Sequence, residues 1–286
     1  MSLKDFIRKS LLDAPGKARK TLEARGVLFT EDAFLQCIQA GKAEEVRLFL
    51  EAGMSPNARG AAQISAAQQA VSENQPVILS ALAEAGADLG AKDKDGNSLL
   101  LQAILSHREE IGKILIARGA PVDARNNAGF SAAMLCARED QPGIAEALLH
   151  AGADVLVKNH ASGETALVMA AQRGSVKMVE LLLRNAITAE DRNDPDKNGA
   201  SPLWWAARNE HTDVVRLLCS RKADANLANQ QGQTPLMMAA SCGNADAVQE
   251  LLNGGARKDV KDSQQKSAAD YARNSGHSSL AELLQP

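Results

Sequence analysis

The residues best able to do chemistry in this chain are Asp194-Pro195-Asp196-Lys197-Asn198-Gly199, five histidines and four cysteines. Oxygen donors alternating ahead of a glycine resemble the opening of a calcium-binding loop. The twelfth position of such a loop needs a bidentate Glu and is Trp205 here. The same Asp-x-x-Gly spacing closes a tight turn with no ion at all. Calcium is therefore not expected. No two of His107, His150, His160, His211 and His277 have metal-ligand spacing on one helical face. The thiols Cys37, Cys136, Cys219 and Cys242 form no Cys-x-x-Cys pair, and a lone Cys242 at a helix end is not a nucleophile without a base and an orienting group. The expectation is no catalytic residue, no metal and no cofactor.

Composition excludes more than it assigns. The chain has 286 residues, 45% hydrophobic and 23% charged, which is ordinary for a water-soluble chain long enough to bury a continuous core. A formal charge of −3, with no basic stripe after residue 26, supplies no field to hold nucleic acid. The scattered cysteines imply a reducing, cytoplasmic residence with four free thiols, with Cys37 and Cys136 as core-packing residues. Aromatics make up only 3% of the chain, so each one carries information.

The elements that must position these residues repeat. Gly163-Glu164-Thr165-Ala166-Leu167-Val168-Met169-Ala170-Ala171 returns as Gly199-Ala200-Ser201-Pro202-Leu203-Trp204-Trp205-Ala206-Ala207 and as Gly232-Gln233-Thr234-Pro235-Leu236-Met237-Met238-Ala239-Ala240. Each copy runs through a Val/Leu-rich stretch to a stop at Gly53, Gly86, Gly119, Gly152, Ala186, Lys222 or Gly255. The interval is 33 residues except for two longer steps, whose extra residues fall at His160-Ala161 and between Thr188 and Asn198. A 33-residue period around Thr-Pro-Leu-x-x-Ala resembles the ankyrin-repeat family, over roughly residues 30–284. The first repeat, from Gly26-Val27-Leu28-Phe29 to Gly53-Met54, resembles those of bacterial-type, stand-alone arrays.

The resemblance implies an all-α solenoid: helix-turn-helix repeats joined by short β-hairpin loops and stacked in a curve. Seven repeats are expected at about 30–62, 63–95, 96–128, 129–162, 163–198, 199–231 and 232–264, with a C-terminal capping repeat at 265–286. Residues 1–29 are expected to form an N-terminal helical cap. Ser2 and Asp5 look like a capping box, and Leu3, Phe6, Ile7 and Leu11 mark one helical face. Ala14-Pro15-Gly16 is expected to break that helix before a second one over Lys17–Arg25. Seven basic residues in this segment leave a membrane or targeting helix as the alternative, but charges interrupt every apolar run, so neither a secretory signal nor a membrane span fits. His211 and His277 fall where such repeats place a histidine opening the second helix, which implies capping. Gln63 at a turn-glycine position and Ala132-Ala133 in place of Pro-Leu predict that repeats two and four are softer.

One inner-helix position per repeat is expected to face the concave groove. In order it reads Gln36, Gln69, Gln102, Leu135, Met169, Trp205, Met238 and Tyr271, polar in the first three copies and apolar or aromatic in the rest. Half-packing against the neighbouring helix is the plain explanation of Leu135 and Met169. Trp205, beside Trp204 in an Ala-rich setting, asks for more, since Trp, Met and Tyr concentrate binding energy. Rungs about 10 Å apart would span roughly 40 Å, the length of an extended segment of about a dozen residues. Arg138, Arg173 and Arg208 flank this ladder and suit acidic neighbours on a partner. Leu203 and Leu217 are expected in the core. The chain thus reads as a monomeric, cytoplasmic module that binds another protein, inhibiting, protecting or regulating it, with no nucleic acid and no membrane as partner. The alternative is a scaffold or secreted bacterial effector that brings other proteins together.

Overall fold

The computed structural model describes residues 14–60, 63–185 and 188–285, which hold seventeen α-helices and one 3₁₀ turn. The predicted helix over Ser2–Leu11 lies outside the described residues. The chain divides into two compact units, 1–127 and 128–286.

In the first unit, α1 spans Ala14–Ala24, followed by the pairs α2 (Glu31–Gln39) and α3 (Ala43–Glu51), α4 (Ala66–Ser72) and α5 (Pro76–Glu84), and α6 (Leu99–Leu105) and α7 (Glu109–Ala117). The first helix of each pair starts at a hydroxyl residue. Thr30, Ser65 and Ser98 each accept the backbone N–H three residues on, satisfying a donor that the helix itself leaves orphaned. Inner helices α2, α4 and α6 pack in sequence on one another, as do outer helices α3, α5 and α7. The core runs from Phe34, Ile38 and Phe49 to Leu99, Leu100, Leu101, Ile104 and Ile111, all fully buried.

The expected break at Ala14-Pro15-Gly16 is instead the first turn of α1, where Pro has no intrahelical N–H bond to lose. This helix buries Ala18 and Leu22 and packs on α3. Phe29 stacks on Phe49 with ring centroids 5.6 Å apart, and the Arg19 guanidinium lies over the Phe29 ring at 4.3 Å.

In the second unit the pairs are α8 (Ala132–Glu139) and α9 (Pro142–His150), α10 (Ala166–Arg173) and α11 (Val176–Arg184), α12 (Pro202–Arg208) and α13 (Thr212–Ser220), α14 (Pro235–Cys242) and α15 (Ala245–Asn253), and α16 (Ala268–Asn274) and α17 (Ser278–Leu283). Ser131, Thr165, Ser201, Thr234 and Ser267 cap the inner helices in the same way. Ala132-Ala133 does not prevent α8 from forming, because Ser131 still supplies its cap.

His211 does not cap α13, contrary to expectation. Its Nε2 meets the Gln172 carbonyl at 2.9 Å, beside a bond from Asn209 Nδ2 to the same oxygen. The ring rests on Gly174, whose φ of +78° and lack of a Cβ make the approach possible: a Cβ there would stand 2.5 Å from the imidazole. The histidine therefore stitches one repeat to the next. His277 does not cap α17 either, and its ring lies against Gly243.

The connections hold isolated bridges, Arg59–Ser65 and Lys92–Ser98, among the described residues, rather than extended hairpins. Successive tips of the second unit are tied by backbone bonds from Lys197 to Ser162, Gln230 to Asn198 and Ser263 to Gln231, at 2.9, 2.9 and 3.0 Å. The longer connection folds into the 3₁₀ turn Asp191–Asn193, with Thr188 and Asp191 bonded to each other and Asn193 accepting from Asp224 N.

Candidate partner-binding face

Capping at Ser131, Thr165, Ser201, Thr234 and Ser267 places Leu135, Met169, Trp205, Met238 and Tyr271 at the same point, four residues into each inner helix of the second unit. They are not five exposed rungs. Leu135, Met169 and Met238 are buried, at 0%, 4% and 2% exposure, because directly packed inner helices enclose an aliphatic side chain there. Trp204 is also buried. Only Trp205 and Tyr271 stay half-exposed. Leu203 is buried as expected, but Leu217 is only half-buried on α13.

The two half-exposed rings share a further feature. Trp205 Nε1 donates to Asp196 Oδ2 at 3.0 Å, and the Tyr271 hydroxyl donates to Asp262 Oδ2 at 2.7 Å. Each aspartate lies nine residues earlier, at the tip of the preceding connection. The residues that resemble a calcium loop therefore have another task. Asp196 Oδ1 accepts the N–H groups of Asn198 and Ala200 at 2.8 and 2.9 Å, and Oδ2 takes the indole. No cluster of metal-ligating side chains occurs among the described residues. At Asp262, burial alone would raise the pKa, but bonds from Lys266 N, the Tyr271 hydroxyl and Gln264 N outweigh it and hold the carboxyl below its ordinary range. Burial, and then the bond to Asp262, push the Tyr271 phenol up. An aspartate nine residues before an aromatic donor was the available sequence signal, and it lay hidden under the calcium-loop pattern.

Three arginines remain exposed. Arg138 lies 4.7 Å over the Phe130 ring and bonds to neighbouring Glu139 at 2.8 Å. Arg208 lies 5.7 Å from the Trp204 ring and touches Met238 Sδ at 3.9 Å. Arg173 and Arg208 form no ion pair among the described residues. Phe130, Arg138, Glu164, Met169, Gln172 and Arg173 surround a shallow cavity of about 270 Å³. Trp204 and Trp205 meet edge to face at 5.1 Å.

The first unit differs at the matching positions. Gln36 is exposed, Gln69 is half-buried, and Gln102 Nε2 donates to the Asn97 carbonyl at 2.9 Å. Asp32, Gln36, Gln39, Gln69 and Glu73 border a cavity of about 330 Å³, with Ile64 beside it.

Burial pushes all four thiols up: Cys37, Cys136 and Cys242 in direction, and Cys219 to about 11. Thiols raised in this way are poor nucleophiles at neutral pH. No helix among the described residues is long and apolar enough to cross a membrane.

Comparison with known proteins agrees with this architecture. The family described as "Ankyrin repeats (3 copies)" matches residues 67–159, 156–229 and 221–286. Osteoclast-stimulating factor 1 of Bos taurus is 43% identical over 117 residues, 41% of this chain and 53% of that protein; the Rattus norvegicus protein gives the same figures. The chain thus spans about half the length of the curated relatives it matches. The ankyrin repeat domain of human ASB11 superposes with a TM-score of 0.67 at 24% identity, over 77% of this chain and 97% of that domain, a likeness of fold. With the family match running over most of its length, the chain belongs to the ankyrin-repeat family, whose repeats are modules of protein–protein interaction.

Proposed function

We propose that the protein grips one partner protein through the inner-helix face and the connection tips of residues 128–286, occupying the partner and thereby inhibiting or protecting it. The observation that carries this reading is the pair of exposed arginines Arg173 and Arg208, without ion pairs among the described residues, with Arg208 over the Trp204 ring that half-exposed Trp205 meets edge to face. Arginine and aromatic side chains are the types that concentrate energy at interfaces. The buried Leu135, Met169, Met238 and Trp204 act here as support beneath the surface, with Arg138 and Tyr271 at its edges. On this reading the protein works as a cytoplasmic monomer.

Affinity capture with the intact chain tests it, comparing wild type with an Arg173→Glu/Arg208→Glu variant whose helix content is unchanged. Loss of the captured partner supports the reading. Retention in full by the charge-reversed variant overturns it.

A scaffolding or effector role is favoured by a different observation. At the matching inner-helix positions the two compact units carry different side chains, Gln36, Gln69 and Gln102 in one and Leu135, Met169, Trp205, Met238 and Tyr271 in the other. Two partners that respond separately to Gln36/Gln69 and to Arg173/Arg208 substitutions would select this second role.

A further inference from the structure

The tip residues 159, 196, 229 and 262 of the second unit differ in one atom, oxygen or nitrogen, and that atom matches what sits on the inner helix. Three tips carry an aspartate whose Oδ1 accepts two backbone N–H groups: Asp93, Asp196 and Asp262. In every one the second oxygen also receives a side-chain donor: Asn97 Nδ2 at 3.0 Å, Trp205 Nε1 at 3.0 Å and the Tyr271 hydroxyl at 2.7 Å. Two other tips carry an asparagine whose oxygen also takes two backbone donors, at the same second and fourth positions for Asn229 and at the second and third for Asn159, which precedes an inserted residue. Asn159 accepts from Ala161 and Ser162, and Asn229 accepts from Gln231 and Gln233. Their amide nitrogens point elsewhere, Asn159 Nδ2 to the Ala128 carbonyl and Asn229 Nδ2 to Gln233 Oε1. The inner-helix residues of those repeats are Met169 and Met238, which offer no donor and are buried.

Donor counting explains the match. Asp196 is buried, at 7% exposure, and faces three donors with two oxygens. An asparagine there would have one acceptor for three donors and would set its own N–H₂ against the indole N–H. Conversely, a methionine at 205 would leave a buried carboxylate oxygen without its donor, and such an oxygen is costly.

We propose that Asp196–Trp205 and Asp262–Tyr271 are braces: Trp205 and Tyr271 are positioning residues that fix the shape of the connection tip from the inner helix. Aspartate and a donor form one matched pair, asparagine and methionine another, and mixed pairs fail. This goes beyond the proposed binding role and does not rest on it. It assigns the half-exposed Trp205 a task that exists before any partner arrives.

The test is a cycle in the intact protein of Asp196→Asn, Trp205→Met and the double variant, which recreates the Asn229–Met238 pair of the next repeat. The readout is amide exchange at Asn198 and Ala200, with Gln264 and Lys266 as internal references. Each single variant is expected to speed exchange about tenfold, the scale of one lost hydrogen bond to a charged group. The double variant should return to within about threefold of wild type, far short of the product of the two single effects. Trp205→Phe, which keeps a ring and removes the donor, should behave as Trp205→Met does and serves if the methionine variant loses helix content. Single variants that leave exchange unchanged, or a double variant equal to the product of the singles, overturn the proposal.

Discussion

The two units use the same helix pair to different ends. In residues 14–127 the inner helices reach extreme apolarity: α6 buries Leu99, Leu100, Leu101, Ala103 and Ile104, and its groove position Gln102 is spent on a backbone carbonyl of its own connection. In residues 128–285 the inner helices are built from Ala, Met and Trp, and the groove positions either sink or bond to a tip carboxylate. A repeat can therefore secure its connection from within the loop, as Asn97 does for Asp93, or from the helix, as Trp205 does for Asp196. The second route leaves a large ring half in solvent. That ring is then available to a partner at no further cost in order.

The largest effects should come from the cores, and they test whether the units are separate. Phe49 is fully buried between Phe29 and Phe34, with ring centroids 5.6 and 5.4 Å away. Phe49→Ala should cost about 3–5 kcal/mol. Leu203→Ala on α12 should cost about 2–5 kcal/mol. Hydrogen exchange should place each opening in its own unit. Equal loss of protection on both sides of Asn127 after either substitution would show one cooperative array and break the comparison.

Next in size is Trp205→Ala, which removes a half-buried ring and a donor to a buried carboxylate. A stability loss of about 2–3 kcal/mol is expected by denaturant titration, close to that of a core residue and larger than that of Leu217→Ala, since Leu217 is only half-buried. A loss under about 1 kcal/mol would mean that the indole is ornamental to the fold, and would leave Trp205 to binding alone.

How far the sequence anticipates all this depends on what the period repeats. The 33-residue interval carries the caps at Thr30, Ser65, Ser98, Ser131, Thr165, Ser201, Thr234 and Ser267, and with them the helix pairs. The groove position is also fixed by that count. Whether its side chain is exposed is not, because exposure depends on the neighbouring inner helix. Leu135, Met169 and Met238 sink, whereas the larger rings of Trp205 and Tyr271 stay half-exposed while bonding to a buried carboxylate nine residues back. The Asp196 motif is legible as a turn, since oxygen donors ahead of a glycine organise backbone N–H groups, but its bond to Trp205 is not. His211 shows a third limit, since its partner, the Gln172 carbonyl, lies 39 residues away and leaves no local trace.

Acid should act on the last connection tip through Asp262 and Asp270. Asp262 and Asp270 both have folded pKa values below their unfolded ones. For Asp270 the leading cause is the bond from Ser267 N, followed by that from Ser267 Oγ. Carboxylates of this kind contribute stability that is fully present above the unfolded pKa, about 4, and is lost as pH falls through the folded value. Exchange at Gln264, Lys266 and Ser267 should therefore quicken below about pH 4. Asp262→Asn should remove the part of that pH dependence that belongs to the tip. An unchanged profile in the variant would move the acid-sensitive group elsewhere.

The smallest effect discriminates within the first unit. Gln36 and Gln102 occupy the same position, yet Gln36 is exposed, while Gln102 spans five residues to bond the Asn97 carbonyl. Gln102→Ala should therefore cost about 1 kcal/mol, the net worth of one neutral hydrogen bond. Gln36→Ala should stay within about 0.5 kcal/mol, as surface substitutions do. The difference is small but sharp, because both changes delete the same atoms from the same turn of a helix. If the two cost the same, the bond from Gln102 to the Asn97 carbonyl contributes nothing, and the first unit secures its connection from the loop alone, through Asn97 and Asp93. If Gln102→Ala also quickens exchange at Asp95 and Asn97, whose N–H groups bond to Asp93 Oδ1, then helix and tip are coupled in this unit too. Aromatic braces would then be the stronger form of a device that both halves of the chain possess.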